Sequence, residues 1–220
     1  MPRIASMQSY FLPYAGYFRL MCDVDAFVMM NSVQFPRSGW VHRNRLRDDA
    51  GQLGWLTLPL ARMPLTTAIK NIRYAAGAED ILRKTSRRFA ACRAPRDHTA
   101  TLVERVLRID TAPIVTIESL LRETAAILGL TTPFVHEADL GLPSDLRGGE
   151  RIFAICAALG ADVYVNSPGG RQLYDPVEFS KRGMKLEFLS PYQGDQASIL
   201  QRLHDSTPAD ICAEIRANLT

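Results

Sequence analysis

The stretch Val163-Tyr164-Val165-Asn166-Ser167-Pro168-Gly169-Gly170-Arg171 reads as a buried strand that empties into a glycine-rich, basic turn. Free backbone N–H groups beside one guanidinium suit an anion, and in open α/β sheets ligands bind outside the carboxyl ends of strands. Asn166, Gly169, Gly170 and Arg171 are therefore expected to bind substrate. A second polar group, His42-Arg43-Asn44-Arg45, follows the second apolar run of the chain. Guanidinium groups grip carboxylate or phosphate in two-pronged fashion, so Arg43 and Arg45, with Asn44 between them, are expected to meet Arg171 in one cleft. His42 is the histidine with a motif around it, and imidazole is the usual proton carrier near neutral pH, which makes it the expected catalytic residue.

An aromatic cluster surrounds Pro13 and Gly16. Tyr10 and Tyr14 are expected to face ligand, with Tyr17 and Phe18 packing inward. Gln8, Asn31 and Gln34 complete the expected substrate-binding set. Arg83, Lys84, Arg87 and Arg88 fall at helical spacing and predict a positive face for an acidic carrier protein or a tRNA. Cys22, Cys92, Cys156 and Cys212 are scattered without ligand spacing, so no metal site is expected, and the cofactor is left open.

These residues need a scaffold, and the periodicity supplies one. Residues 3–7 and 26–30 read as strands joined by a loop and a helix over residues 16–22, which is the length of a βαβ unit with a parallel pair. Residues 53–60 and 69–74 read as further strands. Residues 79–128 turn helical, with apolar positions at helical spacing and Gly129 as a stop. Strands at 134–135, 163–165 and 186–189 and helices at 150–159, 198–203 and 208–219 follow. The expected fold is α/β: one domain over 1–220, a mostly parallel sheet with flanking helices, a nucleotidyltransferase-like βαβ start, and a central helical subdomain at about 78–130. At 47% hydrophobic and 22% charged residues the chain can bury a sizeable core. Its 26 basic and 23 acidic residues, net +3, argue against DNA as a partner. No apolar run approaches a membrane span and no leader pattern opens the chain, so a cytoplasmic location is expected.

Four blocks in order carry a resemblance: Gln8-Ser9-Tyr10-Phe11-Leu12-Pro13-Tyr14-Ala15-Gly16-Tyr17-Phe18, Val33-Gln34-Phe35, His42-Arg43-Asn44-Arg45-Leu46, and Gly160-Ala161-Asp162-Val163-Tyr164 running into Ser167-Pro168-Gly169-Gly170-Arg171. Together they resemble the WbqC-like family over nearly the whole chain. The resemblance implies a place in O-antigen, lipopolysaccharide or related secondary-metabolite biosynthesis. It also marks two departures. Met7 stands where the family usually has histidine, and Asn31-Ser32 where it usually has two aspartates. Methionine carries no proton, and Asn-Ser does not hold a divalent cation as two carboxylates would. The expected function is a group-transfer enzyme that passes an acyl or aminoacyl group to an amine or hydroxyl of an anionic small molecule, a sugar nucleotide or a carrier-bound substrate. Nucleotidyl transfer and non-catalytic binding within such a pathway are the alternatives.

Overall fold

The computed structural model describes residues 1–219. Five strands, β1 (Arg3–Met7), β2 (Ala26–Met29), β5 (Phe134–His136), β6 (Val163–Asn166) and β7 (Lys185–Phe188), form one parallel sheet, ordered β5-β2-β1-β6-β7. A separate antiparallel hairpin pairs β3 (Arg43–Arg47) with β4 (Leu53–Thr57). Helices α1 (Ala78–Ser86), α2 (Ala90–Arg93), α3 (Asp97–Leu107) and α4 (Pro113–Ile127) fill the centre of the chain. Then come α5 (Gly148–Ala158), α6 (Pro176–Ser180), α7 (Ile199–Asp205) and α8 (Pro208–Ala217). The protein is thus a mixed α/β fold around a mostly parallel sheet flanked by helices.

The alternation of side chains along the strands explains why the sheet is covered twice. Ala5, Phe27, Met29, Val163 and Val165 feed one core, shared with the 3-10 segment Ala15–Met21 and with α3, α4, α7 and α8. Ile4, Val28 and Tyr164 point to the other face and pack on Ile152, Ile155 and Cys156 of α5 and Phe179 of α6. Strands buried on both faces must be apolar at successive positions, as β2 and β6 are. Phe27, the fully buried Phe of this sheet, is worth about 3–5 kcal/mol against truncation to Ala.

Three expectations need correction. Residues 16–22 form a tight 3-10 segment, not an α-helix. Residues 69–74, expected as a strand, hold only a 3-10 turn at Ile69–Asn71 and one bridge, Leu60 to Tyr74, because Ile69 and Ile72 are spaced to bury the same side of a turn. The strand over residues 53–60 ends at Thr57, and its partner is β3 rather than a strand of the parallel sheet.

Strand order matters most for function. The chain grows the sheet outwards from β1 through β2 to β5, then returns to the other side of β1 with β6 and β7. Order reverses between β1 and β6, and the loops leaving their carboxyl ends diverge there, opening a crevice.

Candidate active site

Two cavities lie at that crevice. The first, of about 430 Å³, is walled by Tyr10, Tyr14, Tyr17, Trp40 and Tyr192 and by Arg19. The second, of about 450 Å³, is walled by Ser6, Gln8, Tyr164, Asn166, Gly170 and Tyr174, with Arg147 and Arg151 at one end. Met7, Tyr10, Ser167 and Gly169 line both and form the partition. Among the described residues, no carboxylate lines either cavity.

The loop after β1 owes its shape to a few hydrogen bonds. Asn44, buried on β3, donates from Nδ2 to the carbonyls of Phe11 (3.2 Å) and Leu12 (2.8 Å). Ser198 Oγ donates to the same Leu12 carbonyl at 2.9 Å. Leu12 is held at φ 44°, a conformation that costs a non-glycine residue about 1–3 kcal/mol and survives only where its surroundings enforce it. The Tyr17 hydroxyl donates to the Gln8 carbonyl at 2.8 Å, which fixes the start of the loop. Tyr10 packs at a tilt against Tyr17, and Tyr14 against Tyr192, each with ring centres 5.4 Å apart. A Cβ on Gly16 would collide with the Tyr14 and Tyr192 rings, so the glycine is what lets them close over the first cavity. On the β6 side, a Cβ on Gly170 would strike the Asn166 side chain, whose Oδ1 accepts from Ser167 N at 2.7 Å. Gly169 meets almost nothing and leaves backbone open to the partition.

The two cavities differ in charge. Arg151 is buried and forms an ion pair with buried Glu137, and its Nε donates to the Leu146 carbonyl at 3.0 Å. Exposed Arg147 donates to the Ser144 and Leu146 carbonyls and occupies the N-cap position of α5, where no side chain accepts from the first N–H groups. Glu150, in the first turn of α5, pairs with Arg182 at 2.9 Å and stays outside the crevice. Arg19, in the first cavity, is only 2% exposed. Its Nη2 donates to Ser190 Oγ at 2.9 Å, its Nε has no partner, and no carboxylate lies within 4.0 Å among the described residues. Burial lowers its pKa, yet a guanidinium stays protonated at neutral pH. At the partition, burial raises the Tyr10 phenol, so it remains a proton donor. Ser6 and Tyr164 share a buried hydrogen bond of 2.8 Å, and burial drives the Tyr164 phenol well above its ordinary range.

Of the residues expected from sequence, Gln8, Tyr10, Tyr14, Asn44, Asn166, Gly169 and Gly170 line the crevice. Arg43, Arg45 and Arg171 line neither cavity. The reason for the first two is strand alternation: Asn44 and Leu46 face inward, so Arg43 and Arg45 face the opposite side of β3. There they stack on tryptophan, Arg43 over Trp55 at 4.4 Å and Arg45 over Trp40 at 5.5 Å. Arg171 is exposed on a 3-10 turn (Pro168–Gln172) and covers the Phe188 ring at 4.7 Å. Neither cavity brings these three arginines together. His42 borders a separate hollow with Phe35, Leu60 and Met63; burial and neighbouring Arg43 bring its pKa down to about 4, so it is neutral at pH 7. Asn31 is buried, donating to Ser9 Oγ (2.9 Å) and Glu118 Oε1 (2.6 Å), and Gln34 donates to the Leu65 carbonyl at 2.8 Å. Both are bonded within the fold and line neither cavity.

The basic run is also broken. Helix α1 ends at Ser86, so only Arg83 and Lys84 lie on it, and Arg87 and Arg88 follow in the turn. Arg83 pairs with Glu79 at 2.8 Å, while Arg88 lies 3.9 Å from Asp48 and against Phe89.

The match to a family model decides the kinship: the model of the WbqC-like protein family covers residues 8–196. The chain belongs to the WbqC-like family. That span holds both loops of the crevice and Arg19. A relative in Mycobacterium tuberculosis (strain ATCC 25618 / H37Rv), the uncharacterized protein Rv1507c, is 25% identical over 205 residues, covering 88% of this chain and 84% of the relative. No solved structure matches. In this WbqC-like protein Met7, where the resemblance implies histidine, stands at the partition between the cavities. Asn31, where it implies aspartate, ties the loop after β1 to α4. No helix is long and apolar enough to cross a membrane, and no group of three or more His, Cys, Asp or Glu that could hold a metal ion occurs among the described residues.

Sequence reading missed Arg19, Trp40, Arg147, Arg151, Tyr164 and Tyr192. One signal was available: Arg19 is the single charged residue in the otherwise apolar run 15–22. A charge there has to be buried, and a buried charge needs a reason.

Proposed function

We propose that this WbqC-like protein is a biosynthetic group-transfer enzyme acting on anionic small molecules at the β1/β6 crevice. One observation carries the reading: two cavities of nearly equal size share a partition of Met7, Tyr10, Ser167 and Gly169. A donor in one and an acceptor in the other would place the reacting atoms at that partition, and such positioning alone supplies much of a transfer rate. The surroundings favour negative charge, since arginines border both cavities and, among the described residues, carboxylates line neither. In acyl transfer, oxygen develops negative charge as the acceptor amine or hydroxyl attacks. The Tyr10 phenol and the open backbone around Gly169 are the donors available at the partition to stabilise it. Met7 cannot move a proton and His42 lies elsewhere, so Tyr10 serves as a hydrogen-bond donor only. The acceptor's new bond to the acyl carbon replaces the bond to the donor's leaving group, which departs with the proton lost by the amine or hydroxyl.

The test is occupancy in pairs. Nucleotides, sugar nucleotides, acyl-CoA and aminoacyl adenylate analogues are scanned by thermal shift, singly and together. A ligand at 100 times its Kd stabilises the fold by about 2.7 kcal/mol. Two ligands of different class whose stabilisations add support the reading; strict mutual competition between every pair overturns it.

A further inference from the structure

We infer that the first cavity takes a flat, apolar monocarboxylate, an aryl carboxylate in particular, with its carboxylate on Arg19 and its ring between the tyrosines. This rests on the group-transfer reading and names one of its two substrates.

The charge argument comes first. Arg19 is 2% exposed, its Nε is unpartnered, and no carboxylate faces it among the described residues. A buried charge without a counterion is costly, and among the described residues Ser190 Oγ and the Tyr192 ring, 5.8 Å away, are what offsets it. An arriving carboxylate supplies the missing charge and can meet the planar fork through two N–H groups. One cation balances one negative charge. A phosphate dianion would leave a net negative charge beside the same buried guanidinium, so a monoanion fits better.

The body of the ligand follows from the walls. Tyr10, Tyr14, Trp40 and Tyr192 border the cavity with aromatic rings. A sugar would demand many hydrogen bonds, yet the Asn44 amide is bonded to the loop carbonyls, the Tyr17 hydroxyl to the Gln8 carbonyl and the Tyr192 hydroxyl to Glu214. Ser167, Gln196 and the Tyr10 and Tyr14 hydroxyls also border the cavity, enough to take one polar substituent on a ring, while the aromatic walls suit a flat body better than a polyol.

The experiment is isothermal titration of the intact protein with benzoate and 4-hydroxybenzoate against benzyl alcohol, phenyl phosphate and acetate, repeated on Arg19→Met and Tyr14→Leu. The aryl carboxylates are expected to bind at least about tenfold more tightly than each comparator. Arg19→Met should weaken them on the order of 10- to 100-fold without lowering the ligand-free Tm, since the substitution removes an unpaired buried charge. Tyr14→Leu should weaken benzoate but not acetate. Unchanged benzoate affinity in Arg19→Met, a fall in its ligand-free Tm, or preference for phenyl phosphate would each overturn the assignment. In the last case the two-cavity reading survives and only the ligand class fails.

Discussion

Arg151 and Arg19 are both buried arginines beside the same crevice, and they differ in one respect. Arg151 has Glu137 opposite it and two loop carbonyls around it, whereas Arg19 has a serine hydroxyl, an aromatic ring and an empty Nε. Burial alone therefore says little about what an arginine does. A paired guanidinium is part of the frame, and its loss is felt by the fold; an unpaired one is held against a cost that only a partner from outside relieves. The comparison also explains why Arg43 and Arg45, the more conspicuous residues in the sequence, drop out. They stack on tryptophan rings on the outer face of their strand and line neither cavity; Arg45 Nε lacks a hydrogen-bond partner too, so what sets Arg19 apart is its place in the first cavity.

The strongest attempt to break this contrast is Glu137→Ala. It should cost about 3–5 kcal/mol in urea denaturation by leaving Arg151 buried and unpaired, while Arg19→Met costs nothing measurable. Equal losses would erase the distinction. Asn44→Ala comes next: two loop carbonyls lose their donor and strained Leu12 loses a restraint, so stability should fall by about 2 kcal/mol, with ligand binding to the first cavity lost in parallel. A variant that unfolds more readily but still binds would show that the loop is held elsewhere.

Acidity gives a smaller effect. His42 is depressed from an ordinary 6.5 to about 4 by burial, helped by Arg43, so between those values the unfolded chain binds more protons than the folded one. Stability should decrease as pH falls from about 6.5 towards 4, and His42→Gln should flatten that slope; an unaltered slope would place the titrating group elsewhere. Smallest is Arg43→Ala, expected to cost about 0.5–1 kcal/mol through the lost Trp55 contact and to leave crevice binding unchanged. A large binding defect there would return Arg43 to the site.

Much of the scaffold was legible because the chemistry of buried strands is local. Val163-Tyr164-Val165 and Phe27-Val28-Met29 are apolar at successive positions, and only a strand covered on both faces can use that pattern in so short a run. The glycine-rich turn after β6 was legible for a similar reason, and it does border the crevice through Gly169 and Gly170. Arg43 and Arg45 were misread because their proximity in sequence to Asn44 says nothing about which face each takes until the strand's register is known. Arg87 and Arg88 were misread because helical spacing was extended past the point where the chain turns.

By itself, the sequence determined the elements of the sheet, its parallel class and the two loops that carry the polar residues, since backbone preference and burial pattern act over a few residues. Which residues meet was decided only by the tertiary structure. The order β5-β2-β1-β6-β7 brings residues 7–10 against residues 166–170, more than 150 positions apart, and packing alone fixes that one buried arginine finds a carboxylate while another does not. Pairing across such distances depends on strand order, register and side-chain direction together, and no stretch of neighbouring residues encodes all three.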